Sequence, residues 1–371
     1  MITGPVWWEQ VAADGAARAG ILHTPHGDVL TPAFMPVGTR AAVRAVDVDD
    51  LQAAGSEILL ANTYHLMLRP GAAAVARLGG LHDFWGWPGP ILTDSGGYQV
   101  FSLKPAVTED GSVFRSVYDG SVVSLSPEDA VRIQQDLGPD IAMALDVCIG
   151  LPAPPEVVRD AMELTLRWGE RALAAHDRSD QALFGIVQGG VDPDLRALSA
   201  KHTASLGFAG YGIGGLSVGE SHAERDRGLE AAISELPGGQ VRYVMGLGDS
   251  EGVLSAVERG ADLFDCVWPT RLARHGRVLT GKGDFNLRRA EYAIDSRPLA
   301  ADCDCHTCLG HHRGYLRHLL AMNEISVFRL LTIHNLTYTL RLLREARTAI
   351  MGGTYLAFGE RIRASRSPVA Q

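Results

Sequence analysis

Short apolar segments recur along the chain, and most of the intervals between them are long enough for a helix. Continuous apolar runs are typical of strands that are buried on both faces of a parallel sheet. Eight strand–helix alternations predict an α/β fold, a (β/α)8 TIM barrel. A doubly wound sheet is the alternative, but no Gly-x-Gly-x-x-Gly motif follows the first strand. The eight predicted strands span 33–37, 58–61, 91–93, 141–145, 183–187, 211–213, 243–245 and 263–264.

Local structure between these strands is also predicted from the pattern. Apolar residues at helical spacing predict a helix over 156–175. The segment SPED at 126–129 has the features of a helix start, because a Ser cap, a first-turn Pro and two acids suit the positive end of a helix. Two short runs, 113–117 and 121–125, are joined by an Asp-Gly pair and predict an inserted hairpin.

Polar side chains collect where the predicted strands end. Asp94, Asp146 and Asp265 come at or shortly after the ends of the third, fourth and eighth strands, and Gln188 follows the fifth. A single Asp after a strand is usually a cap or turn residue. In a barrel, however, the carboxyl ends of all strands meet at one rim, where TIM-barrel enzymes carry their chemistry. We therefore expect an active site at this rim, since a purely structural barrel leaves the cluster unexplained.

Three of the five cysteines lie within six residues, at Cys303, Cys305 and Cys308, and His334 follows after 25 intervening residues. Three thiolates and one imidazole make the closed tetrahedral set of a structural Zn²⁺ site, and soft thiolates favour zinc over hard cations. Such a site holds the segment together and does no chemistry. The alternative is a loop of reduced cysteines without a metal. Four nearby histidines are competing ligand candidates: His306, His311, His312 and His318.

The composition is that of an ordinary globular chain of 371 residues, with a formal net charge of −9. An acidic chain argues against one that coats nucleic acid non-specifically. A local basic run at 271–289 contains five arginines and one lysine against a single Asp, and the bland interpretation of it is a solvated charged face. No secretory signal or bilayer-spanning run is evident, and the odd cysteine count suits a metal site better than disulfides. We therefore expect a cytoplasmic protein with no membrane partner.

Four motifs stand out along the chain: TDSGGYQ at 93–99, GIVQGG at 185–190, GGL at 214–216 and FDCV at 264–267. They closely resemble the active-site segments of bacterial-type tRNA-guanine transglycosylases. The segment PTR at 269–271, with Arg274 after it, is similar to the RNA-contacting segment of that family. The cysteine and histidine set is similar to its zinc site. The motifs stand in the family's order, and the resemblance covers about 20–344.

The resemblance implies a role for each site residue. Asp265 would be the nucleophile and Asp94 the general acid/base. Asp146 and Gln188 would recognise the base, and Tyr98 and Met245 would stack on its two faces. Gly215 and Leu216 would contact the substituent of the base, and Glu220 would support the peptide that they form. Arg271 and Arg274 would contact the anticodon loop.

The reaction implied is exchange of guanine at the wobble position of G-U-N anticodon tRNAs for preQ1, 7-aminomethyl-7-deazaguanine. It would proceed by double displacement through a covalent Asp–ribose intermediate, in queuosine biosynthesis. Val218 resembles the bacterial form, whereas the eukaryotic enzyme tends to have Gly there. The family commonly forms homodimers. The expected division is a barrel with an N-terminal extension at 1–285, a zinc-binding subdomain at 286–334 and a C-terminal helical region at 335–371.

Two departures and two rival functions accompany the resemblance. Val147 stands where bacterial members often have Glu, which bears on how the exocyclic group of the base is held, and Ser217 stands where many have Ala. An archaeal relative exchanges a D-loop base and generally carries an additional C-terminal RNA-binding region. A non-catalytic RNA-binding partner subunit loses the catalytic acids, whereas Asp94 and Asp265 are both present here.

Overall fold

The computed structural model describes residues 4–216 and 219–366. Ser217 and Val218 therefore lie outside the described residues. The strands are, in chain order, β1 (Trp7–Asp14), β2 (Ala17–Thr24), β3 (Gly27–Thr31), β4 (Ala33–Met35), β5 (Val37–Gly38), β6 (Leu59–Ala61), β7 (Ile91–Thr93), β8 (Ala106–Thr108), β9 (Gly111–Arg115), β10 (Val122–Leu125), β11 (Ile141–Met143), β12 (Ala182–Val187), β13 (Gly210–Ile213), β14 (Arg242–Val244), β15 (Leu263–Asp265), β16 (Arg277–Val278) and β17 (Phe285–Asn286).

Helices alternate with the barrel strands and then dominate the C-terminal part of the chain. The helices are α1 (Val48–Ala54), α2 (Thr63–Leu68), α3 (Ala72–Arg77), α4 (Gly80–Trp85), α5 (Gly97–Ser102), α6 (Pro127–Leu137), α7 (Pro155–Ala175), α8 (Pro193–Ser205), α9 (His222–Glu235), α10 (Ser250–Glu258), α11 (Trp268–Arg274), α12 (His306–Gly310), α13 (Arg313–Ala321), α14 (Ile325–Met351) and α15 (Tyr355–Arg366). Among the residues that the structure describes, no helix is long and apolar enough to cross a membrane.

The predicted (β/α)8 barrel is confirmed. One parallel sheet runs in the order β4-β15-β14-β13-β12-β11-β7-β6-β5. Its two end strands, β4 and β5, are halves of one strand that is interrupted at Pro36. Because β4 pairs with β15 and β5 pairs with β6, this divided strand closes the sheet into a barrel of eight strand positions. All eight predicted apolar segments form these strands, because a barrel strand is covered by side chains inside and by helices outside.

Residues 7–31, which were expected only to form an N-terminal extension of the barrel, form an antiparallel sheet, β1-β2-β3. Its apolar side chains Trp8, Leu22 and Val29 belong to the same buried cluster as the barrel's inward-facing residues. Arg18 of β2 forms a buried ion pair with Asp262, which immediately precedes β15. This sheet therefore covers the N-terminal end of the barrel and leaves the opposite rim open.

Two local predictions are confirmed with one addition. Ser126 and Asp129 form a reciprocal capping box at the start of α6, and α7 covers the predicted helix. The predicted hairpin is present as β9 and β10, but a third strand, β8, pairs with the outer side of β9. This three-stranded excursion follows α5 and stands at the open rim of the barrel.

The C-terminal part is built around α14, a helix of 27 residues. Its first half, including Val327 and Leu331, packs in one cluster with the three neighbouring cysteines. Its second half, from Leu336 to Ile350, belongs to the core cluster that surrounds the barrel. The helix passes through the expected boundary at 334 without interruption, and the division into three parts stays a prediction.

Candidate active site and metal centre

A cleft of about 240 Å³ opens at the carboxyl-end rim of the barrel. It lies over the interior of the barrel because most of its wall comes from the residues that end or follow six of the strand positions. Of the residues expected in the site, the following line it: Asp94, Tyr98, Asp146, Gly215, Leu216, Met245 and Asp265. The structure thus brings together side chains that are up to 171 positions apart in the chain.

Asp94 follows β7 and is half-buried in the wall of the cleft. Its carboxylate accepts hydrogen bonds from Asn62 Nδ2 at 2.5 Å and from the Thr63 backbone N–H at 2.8 Å. Burial raises the pKa of Asp94 to about 6, against the opposing effect of these donors, and the nearby Asp265 raises it further. A carboxyl group with this pKa exchanges its proton close to neutral pH, as a general acid/base requires.

Asp265 is the last residue of β15. Its Oδ1 accepts hydrogen bonds from the Tyr243 hydroxyl at 2.6 Å and from the Gly246 backbone N–H at 2.7 Å. Burial raises the pKa of Asp265, and both hydrogen bonds act in the opposite direction. Burial and the adjacent Asp265 raise the pKa of Tyr243 well above its usual range. The phenol therefore stays protonated and acts as the hydrogen-bond donor to Asp265. Within the described parts of the chain, no residue donates a hydrogen bond to the second carboxylate oxygen, Oδ2, and Asp265 lines the cleft.

Asp146 and Gln188 form a buried polar pair at the back of the cleft. Gln188 Nε2 donates to Asp146 Oδ2 at 2.7 Å, and the Cys148 thiol donates to the same oxygen at 3.2 Å. Ser95 Oγ donates to Asp146 Oδ1 at 3.2 Å. Burial raises the pKa of Asp146. Both carboxylate oxygens of Asp146 therefore act as hydrogen-bond acceptors, and the three neighbouring donors hold them in position.

The peptide around Gly215 forms the wall next to this pair. Gly215 has a φ of +65°, and a Cβ here would collide with the Gln188 amide oxygen. Glycine is thus required both by the left-handed backbone and by the close approach of Gln188. Leu216 is buried against the core, while Tyr98 stands at the mouth with 58% of its surface exposed. Met245 follows β14 and lines the same cleft.

Several residues of the site were not predicted from the sequence. Asn62 follows β6 directly, so the rule that located Asp94 and Gln188 at strand ends could have found it. Tyr243 lies within β14 and reads as an apolar core residue. Arg196 lies in α8, is fully buried, and donates to the carbonyls of Gly190, Val187, Gly214 and Gly215. Nothing in the sequence distinguishes it from a surface arginine.

The remaining expected residues lie around the cleft rather than in it. Arg271 and Arg274 are on α11, which begins three residues after Asp265, and Arg271 is exposed. Val147 is buried and belongs to an apolar cluster with Leu145 and with Trp168 of α7. Glu220, which follows the undescribed residues 217–218, is half-buried.

Cys303, Cys305, Cys308 and His334 come together as predicted, and all four are buried. His334 Nδ1 lies 3.6, 3.7 and 3.3 Å from the three sulfurs in that order. Zn–S bonds of about 2.3 Å and a Zn–N bond of about 2.0 Å give a tetrahedron with an S···N edge of about 3.5 Å. The spacing of the four donor atoms therefore fits a zinc ion.

The second ring nitrogen of the histidine supports the same fit. His334 Nε2 lies 2.9 Å from the Leu279 carbonyl oxygen, which can only accept a hydrogen bond. Nε2 therefore carries the proton, and Nδ1 presents its lone pair to the sulfurs, as in many metal-bound histidines. None of the four competing histidines belongs to the cluster in the described parts of the chain, and two of them are engaged elsewhere: His312 Nδ1 accepts from the Tyr315 backbone N–H, and the His311 ring stacks on Tyr315.

The comparison with known proteins agrees with this geometry. The family model described as queuine tRNA-ribosyltransferase matches residues 14–368. A protein of Moorella thermoacetica with that name is 50% identical over 339 residues, 91% of each chain. One of Herpetosiphon aurantiacus is 51% identical over 348 residues, covering 93% of this chain and 89% of the relative. One of Stenotrophomonas maltophilia is 49% identical over 362 residues, 96% of each. The chain belongs to the queuine tRNA-ribosyltransferase family.

Proposed function

We propose that this enzyme exchanges guanine at the wobble position of G-U-N anticodon tRNAs for preQ1, as a step in queuosine biosynthesis. The observation that carries the proposal is the cleft itself, in which two half-buried carboxylates, Asp94 and Asp265, stand beside the polar pair Asp146–Gln188. Base exchange needs these two kinds of group, a pair of carboxyls for the chemistry and an acceptor set for the base.

Asp265 acts as the nucleophile in this proposal. Breaking the bond between base and ribose develops positive charge at the anomeric carbon, and a carboxylate on the opposite face can trap it covalently. Tyr243 and Gly246 both bind Oδ1 of Asp265, so they orient the carboxylate and leave Oδ2 for the ribose. The incoming base then displaces Asp265, and two inversions at one carbon give net retention.

Asp94 transfers the protons. Guanine leaves more readily when its developing negative charge is protonated, and the incoming base must lose a proton to attack. With a pKa of about 6, Asp94 can give and take that proton in alternate half-reactions. Asn62 and Thr63 hold the carboxyl group in place through both steps.

Asp146 and Gln188 select the base. The N1–H and exocyclic amine of guanine and of preQ1 are donors, and they match the carboxylate oxygens of Asp146. Adenine has an acceptor at N1 and lacks the 2-amino donor, so it would leave buried acceptors unpaired. The target nucleotide must leave the stack of the anticodon loop to reach the cleft, and Tyr98 at its mouth and Met245 are placed to contact its faces.

The supporting parts complete the proposal. Zn²⁺ bound by Cys303, Cys305, Cys308 and His334 would hold the zinc-binding subdomain of 286–334 together, with the barrel before it and the helical region of 335–371 after it. Arg271 and Arg274 on α11 would bind the anticodon loop. Gly215, Leu216 and Glu220 would form and steady the peptide that meets the substituent of the base. The enzyme would act as a homodimer, as members of the family commonly do.

The test is incubation of the purified enzyme with unmodified tRNA and radiolabelled guanine, with and without preQ1. Incorporation of label, and its displacement by preQ1, are the expected results. A parallel reaction with queuine separates the preQ1 preference from that of the larger base. Label that enters the D-loop instead of the anticodon, or no incorporation at all, would contradict the proposal.

A further inference from the structure

Five arginines at the open rim form no ion pair with any carboxylate in the described parts of the chain. Arg271 and Arg274 were expected to contact RNA, but Arg40, Arg44 and Arg69 were not singled out by the sequence. These three are exposed. Asp119, the carboxylate in the adjacent hairpin loop, bonds the backbone N–H and hydroxyl of Ser121 rather than an arginine. Exposed cations without an ion pair on a chain with a net charge of −9 can attract an anionic partner, although Asp119 lies close enough to Arg69 for their charges to interact.

The five arginines form one continuous band. Tyr118, in the loop between β9 and β10, has the Arg69 guanidinium 4.5 Å and the Arg40 guanidinium 5.6 Å from its ring centroid. The pKa of His65, which contacts the Tyr118 hydroxyl, is lowered by burial and then by Arg40 and Arg44. The band thus extends from the hairpin loop to Arg44.

From Arg44 the band continues to α11. The pKa of Arg274 is lowered first by burial and then by Arg44 and Arg271, so these three cations are close enough to repel one another. The band follows the rim along three adjacent strand positions, those of β15, β5 and β6. Two residues of these strand positions line the cleft: Val37, which lies three positions before Arg40, and Asn62, which precedes α2. Arg69 directly follows α2.

The opposite side of the rim has the reverse charge. The loops and first helical turns after β12 and β13 carry four carboxylates, Asp192, Asp194, Glu220 and Glu224. A polyanion that reaches the cleft is therefore attracted on one side and repelled on the other. This charge asymmetry favours a path along the arginine side of the rim, beyond what the two arginines of α11 alone would favour.

We propose that Arg40, Arg44 and Arg69, held by the Tyr118 loop, form a second phosphate-binding wall that positions the RNA backbone across the cleft. This inference rests on the proposed function, because it takes RNA as the substrate. Arginine suits the task, since its planar guanidinium meets a phosphate with two parallel hydrogen bonds. The guanidinium groups of Arg40 and Arg69 lie over the ring of Tyr118 in cation–π contacts. Tyr118 therefore supports these two groups and does not serve as a surface on which a base stacks.

The experiment measures binding of an anticodon stem-loop RNA with a G-U-N anticodon as a function of salt. Arg40→Gln and Arg69→Gln are compared with wild type and with Arg77→Gln. Arg77 is also exposed and forms no ion pair in the described parts of the chain, but it ends α3 close to Gly80, where an added Cβ would approach the carbonyl of Leu137, the residue that ends α6 before β11 begins at the closed end of the barrel. Each variant loses one positive charge, so the control separates position from net charge.

Each rim variant should weaken binding and lower the slope of log K against log salt by about 1, as loss of one phosphate contact predicts. The KM for RNA should rise, while kcat at saturating RNA and the KM for guanine stay at wild-type values. Arg69→Lys should recover most of the salt slope, and Arg77→Gln should match wild type. Tyr118→Ala should lower RNA affinity without removing a charge.

Wild-type affinity and salt slope in both rim variants would overturn the second wall while leaving base exchange intact. Loss of a dimer with unchanged RNA binding would also overturn it, because the band would then serve a second copy of this chain. If the wild-type enzyme itself neither binds nor modifies the RNA, the proposed function fails and the wall with it. Unchanged thermal unfolding in the rim variants confirms that the comparison concerns the surface alone.

Discussion

The described parts of this chain contain two clusters of ionisable groups that are built in opposite ways. The carboxylates Asp94, Asp146 and Asp265 come from three separate strand ends and share an open cleft. The thiols and imidazole of the Cys303–His334 cluster come from one tight turn and one helix, and they point at one another. The cleft keeps a free face for a substrate, whereas the thiol cluster has a single small space at its centre.

The difference teaches how buried polarity is used. A closed set that binds a metal turns binding energy into folding stability. An open set of carboxylates costs stability, because burial raises the pKa of all three groups and each ionised form is held against that cost. We therefore expect damage to the thiol cluster to unfold the protein. Damage to the carboxylate cluster should stop the reaction while sparing or stabilising the fold.

The largest effect is expected at the thiol cluster. Cys305→Ala opens the ligand set, and structural zinc contributes on the order of 10 kcal/mol to folding in small domains. We expect loss of bound zinc and a sharp fall in thermal stability, measured by metal analysis and calorimetry. His306→Ala is the matched control, since this histidine is an exposed neighbour that the cluster does not include. Full zinc content in Cys305→Ala would disprove the ligand assignment.

Next in size is the loss of base recognition in Asp146→Ala. Removing the acceptor for the N1–H and exocyclic amine should lower exchange of guanine and preQ1 by on the order of 10⁴-fold. RNA binding should survive, because the arginines lie elsewhere on the rim, and the fold should not weaken. Steady-state kinetics with both bases decide this. Near-wild-type turnover would mean that Asp146 only completes a turn after β11.

The pH dependence of stability should differ between wild type and Asp94→Asn. The carboxyl group has a pKa of about 6 when folded, against an ordinary value of 3.8. Its contribution is therefore fully present below pH 4 and is lost as the pH rises through 6, because the folded state must then hold a buried charge. The difference corresponds to about 3 kcal/mol. The neutral amide avoids this loss.

Urea unfolding at pH 4 and pH 8 measures this effect. Asp94→Asn should gain stability relative to wild type between these two values, while its exchange activity is lost. Asn62 can turn its amide to present oxygen to the new side chain, so the variant keeps a hydrogen-bonded contact. A wild-type–variant difference that is the same at both pH values would argue against the raised pKa.

The smallest effect is expected from Tyr243→Phe. This change removes the 2.6 Å hydrogen bond to Asp265 Oδ1 and leaves that of Gly246. A hydrogen bond to a charged group is worth about 1.5–3 kcal/mol, so kcat should fall by roughly tenfold to a hundredfold. The KM for RNA should stay unchanged. In the wild type this hydrogen bond lowers the pKa of Asp265. Its loss should raise that pKa, so the acidic limb of the pH–rate profile should move to higher pH.

Much of the fold could be predicted from the sequence, and the reason is local. Continuous apolar runs such as those of β11 and β12 mark strands that are covered on both sides, and their number indicates a barrel. The sheet of β1–β3 was missed because it covers the closed end of the barrel, and that role appears only once Trp8 and Leu22 join the barrel interior. The third strand of the excursion, β8, is short and exposed.

The site was predictable where a residue type and its place after a strand coincide. Asp94, Gln188 and Asp265 follow this rule, and the motif resemblance gave each an expected role. Arg196 could not be predicted, because only the folded chain places four backbone carbonyls around its guanidinium. Likewise, the grouping of Arg40 and Arg69 could not be predicted, because it depends on a hairpin loop that brings Tyr118 next to both side chains in the folded chain.

The most direct test of the central claim is covalent trapping at Asp265. Wild-type enzyme incubated with a G-U-N anticodon stem-loop and a competitive base should give a complex that survives denaturation. Peptide mapping should place the ribose on Asp265, and Asp265→Asn should give no complex while remaining folded with full zinc. A complex of equal yield in Asp265→Asn, or one that maps to Asp94, would contradict the account.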